Sequence, residues 1–241
     1  MADLRGAYAR LRRAQVHLAD FKRRAERYNR SHLNHLIYDF HQETQRAGVQ
    51  WGKGRAPSVG MSMIVGETIY NLRAALDYLV YEMAELDSGS EQDGTQFPIE
   101  SSKKGFKGRR KSYLNGVDAK HVTALRALQP CEGCNWTGVL RDISNPDKHR
   151  KLTDSRGTAV IDVKLAYIPP GGQPPPQPWK VFPAQGRLRG EVWDVYVHAD
   201  ATLHVEFADG TPVAPTLDLL QGEVAATLNA FTPCFEGRCA H

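Results

Sequence analysis

The stretch SNPDKHRKL, Ser144 to Leu152, sets Asp147, three cations and the imidazole of His149 within nine residues. An imidazole titrating near neutral pH can move a proton, and cations beside it can hold an anion. The same groups can also form a polar clasp at a helix break, with Asp147 capping the turn after Pro146 and Arg150 pairing with a carboxylate. A second polar set interrupts an otherwise apolar segment, where Asn71, Arg73 and Asp77 fall within GETIYNLRAALDYLVYEMA. Arg73 and Asp77 stand one helical turn apart, the spacing at which such side chains pair. Buried charges need partners, so the two sets are expected to meet.

Four cysteines form two short-spaced pairs, Cys131 with Cys134 in CEGC and Cys234 with Cys239 in CFEGRC. Brought together, the pairs can hold a structural zinc ion in a tetrahedral four-thiolate site. Free thiols are the alternative, and a disulfide framework does not suit a reducing compartment. The histidines outside the DKHR stretch, among them His32, His35, His198 and His204, offer no third ligand at a metal-binding spacing.

Residues 103 to 111, KKGFKGRRK, carry six cations (Lys103, Lys104, Lys107, Arg109, Arg110 and Lys111) and no acid. Residues 1 to 30 add nine basic residues against three acids, while the net charge is only +4. Concentrated positive charge attracts polyanions, nucleic acid such as RNA among them, by releasing their counterions; a solvated helix face and a solvated loop are the other reading. Phosphate-binding glycine loops, the G-x-S-x-G elbow and the zinc-protease helix are all absent from the sequence.

At 241 residues, 41% hydrophobic and 24% charged, the chain can bury a core without staples. Its apolar runs are too short to span a bilayer, and basic Met1 to Arg13 is followed by no leader-like apolar core. A cytoplasmic protein with no membrane partner is expected.

The elements that position these groups follow from periodicity. Leu4, Ala7, Tyr8, Leu11, Ala14, Leu18 and Phe21 predict a long surface helix over 3–30, and a broad apolar face predicts a central helix over 60–86. Residues 87–116 read as a long loop carrying the extended piece QFPI. Shorter helices are predicted over 118–129 and 136–152, the second broken near Ser144 by Pro146, and a last one over 215–231. Alternation predicts a hairpin at 36–43 and 48–53, and strands in TAVIDVKLAYI, WKVFPAQGRLRG, EVWDVYVHA and ATLHVEFADG. The prediction is one α+β domain over 1–241, a helical layer packed on an antiparallel sheet of four to six strands. Its helical part covers mainly 1–34, 56–153 and 215–232, and its sheet part 36–53 and 157–213.

The series NLRAALD, QFPI, LQP and SNPDKHRKL resembles a group of uncharacterised bacterial and phage proteins that share an N-L-R-x-A-L-D helix, a later F-P-I and an N-x-D-K-H-R segment; residues 66–152 carry the resemblance. More remotely, the chain is similar to the HEPN superfamily of helical domains, many of them metal-independent ribonucleases or toxins. Those place an Arg, a few variable residues and a His at the start of a helix; Asn145 to His149 approximates this with asparagine for arginine. The resemblance implies a ribonuclease of defence or toxin type. His149, working with Asn145, would be the general base on a 2′-hydroxyl, Arg150, Lys148 or Arg73 would neutralise the phosphate, and Asp147 or Asp77 would orient the imidazole. It also implies a homodimer, since such sites form between protomers. The competing reading is a non-enzymatic binding or scaffold protein in which the DKHR cluster is structural.

Overall fold

A computed structural model describes residues 2–32, 36–41, 46–51, 58–149, 156–169, 171–173, 180–188 and 191–238. For Ser31, His32, 145–149 and the strands it describes the backbone alone, apart from Ala166, Ile168, Tyr196, Val205 and Glu206. The chain divides into two compact units, one of Met1–Arg23, Ser58–Ser155 and Phe207–His241, the other of Arg24–Pro57 and Arg156–Glu206.

The first unit is built helix on helix. Helix α1 (Arg5–His32) begins there, and α2 (Val59–Ser88), α3 (Lys103–Tyr113), α4 (Ala119–Ala127), α5 (Asn135–His149) and α6 (Val213–Phe235) follow. Leu4, just before α1, and Ala7, Leu11, Ala14, Leu18 and Phe21 on it are buried, a strict three–four alternation that gives one narrow stripe. Helix α2 is buried over most of its circumference, with Val65, Leu72, Ala75, Leu76, Leu79, Val80 and Met83 fully enclosed. It packs on α5 and α6, whose inward residues include Leu140, Leu217, Leu220, Val224 and Leu228. Helix α1 is tied to α6 by the Tyr8 hydroxyl at 2.7 Å from Asn229 Oδ1 and by Lys22 at 2.7 Å from Asp218.

In the second unit β1 (Leu36–His41) and β2 (Arg46–Trp51) pair antiparallel from Leu36↔Trp51 to His41↔Arg46. A separate antiparallel sheet has the order β3–β5–β4, with β3 Arg156–Ile168, β4 Lys180–Leu188 and β5 Glu191–Glu206. The β4 register shifts between Val181 and Ala184, where Pro183 lacks the N–H that a ladder requires.

This overturns the α+β prediction of a helical layer on a four-to-six-stranded sheet. The body of the protein is a helical bundle whose core is closed by helices, with no sheet among the described residues of that unit. The strands belong to the other unit and split into a pair and a trio. One cause is visible in the ladder. EVWDVYVHA and ATLHVEFADG are predicted as two strands, yet the first and the ATLHVE of the second form one strand, β5, because HADAT keeps the two-residue alternation and contains no Gly or Pro to turn it. Asp200 pairs with Asp162 in mid-strand.

Two further corrections fall in the bundle. KKGFKGRRKSY is helix α3, not loop: Ser102 caps it by accepting from the Gly105 N–H at 3.0 Å, and Arg110 and Lys111 fill its last turn, where cations suit the helix dipole. Helix α5 runs through Pro146 to His149 without the predicted break. Proline removes one N–H and strains one turn, and here Thr137, Leu140 and Ser144 are buried along the same helix. Val139 on the same helix is 39% exposed.

Candidate functional site

Arg73 and Asp77 do pair, at 3.3 Å, and together they grip one residue of the QFPI segment. Arg73 Nη2 donates to the Phe97 carbonyl, while Asp77 Oδ1 accepts from the Phe97 N–H at 2.9 Å. The guanidinium also lies 6.0 Å from the Phe97 ring centroid. Residues 95–100 belong to no helix or sheet, so a buried Phe97 peptide has no ladder partner, and the i,i+4 pair on α2 supplies both missing bonds. The Arg73 side chain is 12% exposed, and burial pulls its guanidinium below the ordinary arginine range while Asp77 pushes it back up.

The other end of the segment is held by the LQP motif. Gln129, fully buried, accepts the Glu100 N–H on Oε1 at 3.0 Å and donates from Nε2 to the Leu125 carbonyl at 3.0 Å. The Cys131 N–H reaches the Glu100 carbonyl at 3.3 Å, and the Gln96 N–H reaches the Tyr113 carbonyl at 3.1 Å. NLRAALD, QFPI and LQP therefore converge on one seam. Just before the fourth motif on α5, Arg141 Nη1 donates to Ser101 Oγ at 2.6 Å, and Ser144 Oγ donates to the Arg141 carbonyl at 3.0 Å. The side chains of Asn145 and His149, and the whole of Arg150, lie outside the described residues.

A second buried pair escaped the sequence reading. Asp87, at the end of α2, lies 2.7 Å from His121 Nδ1 on α4 and accepts the Asp118 N–H at 2.8 Å. The His121 and Asp87 side chains are 7% and 5% exposed, and the His121 ring meets Phe231 edge-on at 6.4 Å. This carboxylate fixes the start of α4 against the end of α2 rather than facing solvent.

No family model, curated protein or solved structure matches the chain. Function has therefore to be argued from the molecule's own surfaces.

The six cations of the 103–111 run do not share one face. Lys103, Lys107 and Arg110 lie at i, i+4 and i+7 and line a groove between α3 and α4, which Arg126 closes from α4. Its floor includes the buried Phe106 and Val122, and its volume is about 380 Å³. Lys104 and Arg109 line the opposite side of α3 beside Gly105 and Gly108. Arg109 pairs with Glu100 at 3.4 Å and stacks over Tyr113 at 5.1 Å. Lys111 lines neither side. Arg126 was missed because it stands alone in the sequence, outside any basic run, and meets the others only through the turn between the helices.

Glu132, in the 3₁₀ turn Pro130–Glu132, holds Arg126 Nη2 and Nε at 2.7 and 2.8 Å and approaches Lys103 at 3.7 Å. The hydrogen bond from Arg126 keeps the Glu132 carboxyl below its usual range. No ion pair among the described residues engages Lys107 or Arg110.

Cys131 and Cys134 are free thiols, Cys234 is in a disulfide, and Cys239 lies outside the described residues. A sulfur in a disulfide is not a thiolate ligand, so a four-cysteine zinc site and this disulfide exclude each other. Among the described residues no three His, Cys, Asp or Glu side chains cluster to hold a metal. No described helix is long and apolar enough to cross a membrane.

Proposed function

We propose that the protein binds RNA through the α3–α4 groove, with the Arg73–Asp77 pair acting as a structural clasp. The observation that carries this is the convergence of Lys103, Lys107, Arg110 and Arg126 on one concave surface whose lining contains no acid, Glu132 reaching Arg126 and Lys103 from outside it. Cations scattered round a helix give only diffuse attraction, whereas cations focused in a groove raise the local potential and fix a phosphate backbone. Arg73 supports the binding reading over the ribonuclease one, because its guanidinium is spent on the Phe97 carbonyl and Asp77.

The test is fluorescence anisotropy of the full chain with labelled single-stranded RNA, beside Lys107→Ala/Arg110→Ala. Removing two phosphate contacts from the groove is expected to weaken binding about tenfold or more. Equal affinity of the two proteins overturns the groove as the binding surface. Incubation with structured and single-stranded RNA, beside His149→Ala, is expected to show no cleavage by either protein. Cleavage lost in His149→Ala would replace the binding reading with the ribonuclease one.

A further inference from the structure

Two features of the α3–α4 groove bear on which part of an RNA it takes. The first is length. From Lys103 to Arg110 the helix advances only about 10 Å at ~1.5 Å per residue. The groove's volume of about 380 Å³ lies at the small end of the range for small-molecule sites, so it suits a nucleotide-sized group rather than a long strand. A duplex cannot enter such a space.

The second feature is a carboxylate that reaches two of the groove's cations from outside its lining. The Glu132 carboxylate already neutralises Arg126 and lies near Lys103, leaving Lys107 and Arg110 as the cations no described ion pair engages. An internal phosphodiester carries one negative charge, as Glu132 does, and gains little by competing for the same guanidinium. A terminal phosphomonoester carries about −1.5 to −2 at neutral pH and offers three strong acceptor oxygens. It can take Lys107 and Arg110 and still draw Arg126 from Glu132, and the two arginines offer planar forks that suit its oxygens.

We infer that the groove is a site for the phosphorylated end of a single-stranded RNA, with Lys107, Arg110 and Arg126 as its phosphate ligands and Glu132 as the built-in competitor that rejects internal phosphates. This rests on the RNA-binding reading and narrows it to one chemical group.

The experiment measures anisotropy of the full chain with one short RNA sequence in three forms: hydroxyl at both ends, 5′-phosphorylated, and 3′-phosphorylated. One phosphorylated form is expected to bind about tenfold tighter than the hydroxyl form, a difference of about 1.4 kcal/mol. Arg110→Gln is expected to remove that preference. Glu132→Gln is expected to narrow it by strengthening the hydroxyl form. Equal binding of all three RNAs, with Arg110→Gln weakening each alike, overturns the end-specific site while leaving RNA binding in place. If no RNA binds, the RNA reading fails, and the phosphate site is judged by titrating a nucleoside monophosphate. Binding lost in Arg110→Gln then supports the site, and absence of binding overturns it.

Discussion

Arg73 and Asp77 work on a single peptide unit at each side of Phe97, and that arrangement has a measurable cost of removal. Arg73→Ala leaves a buried carbonyl without its donor and Asp77 without its cation, which should destabilise the fold by about 2–4 kcal/mol. Chemical denaturation checks it, and unchanged stability would mean that the clasp is not structural. The pairing itself was legible, because the two residues stand at i,i+4; its object was not, since a backbone partner leaves no mark in side-chain spacing. Cys134 offers a second test at this scale. Burial, helped by the Glu223 carboxylate, pushes its thiol above the ordinary cysteine value. Because the thiolate is the reactive form, alkylation of Cys134 at pH 8 should lag that of an exposed model thiol and catch up only as pH rises further. Differential labelling read by mass spectrometry follows this, and Glu223→Gln should shorten the lag. A rate at pH 8 equal to the exposed thiol's would show that burial is not controlling it.

Among the elements, α2 and α1 were plain in the sequence because each carries a long apolar stripe, whereas α3 carries a single buried residue, Phe106, and two glycines. With no period to read, its six cations looked like a solvated loop. What makes it a helix is local: the Ser102 cap, cations in the last turn and Phe106 set into the body. If so, its glycines weaken it unequally. A methyl at Gly108 meets nothing within 4 Å, so Gly108→Ala should stabilise the protein by about 0.5–1 kcal/mol. A methyl at Gly105 would lie 2.5 Å from Glu100 Oε2, a carboxylate that Arg109 also holds, so Gly105→Ala should gain little or nothing. Thermal melts of the two variants distinguish them, and equal gains would contradict the packing described around Glu100. The opposite misreading, a break at Pro146, came from weighing one lost N–H against nothing, when the buried residues along α5 were invisible without its neighbours.

For the whole molecule, the question is which of two basic regions engages a polyanion, since residues 1–30 hold nine cations to the six of 103–111, while three acids bring the first region to the same net +6. Cation number favours α1, and geometry favours α3. Several α1 cations are already engaged: Arg5 with Asp3 at 2.7 Å, Lys22 with Asp218, Arg23 with Asp20 at 3.3 Å, and Arg10 stacked over Tyr78 at 5.4 Å. The exposed Arg12 and Arg13 line neither of the two grooves beside α3. Counterion release counts only phosphates actually neutralised, at about −0.7 in log–log salt slope per contact on a single strand. A terminal phosphate of about −1.5 to −2 held by the groove cations should therefore give a slope of about −1 to −1.4. Arg12→Gln/Arg13→Gln should leave both slope and affinity within about twofold of wild type, whereas Lys107→Ala/Arg110→Ala should flatten the slope by about 0.7 or more. Binding titrated across a series of salt concentrations reads both numbers from one set of curves. A flattened slope in the Arg12 and Arg13 variant, with none in the groove variant, would move the interface to the N-terminal helix.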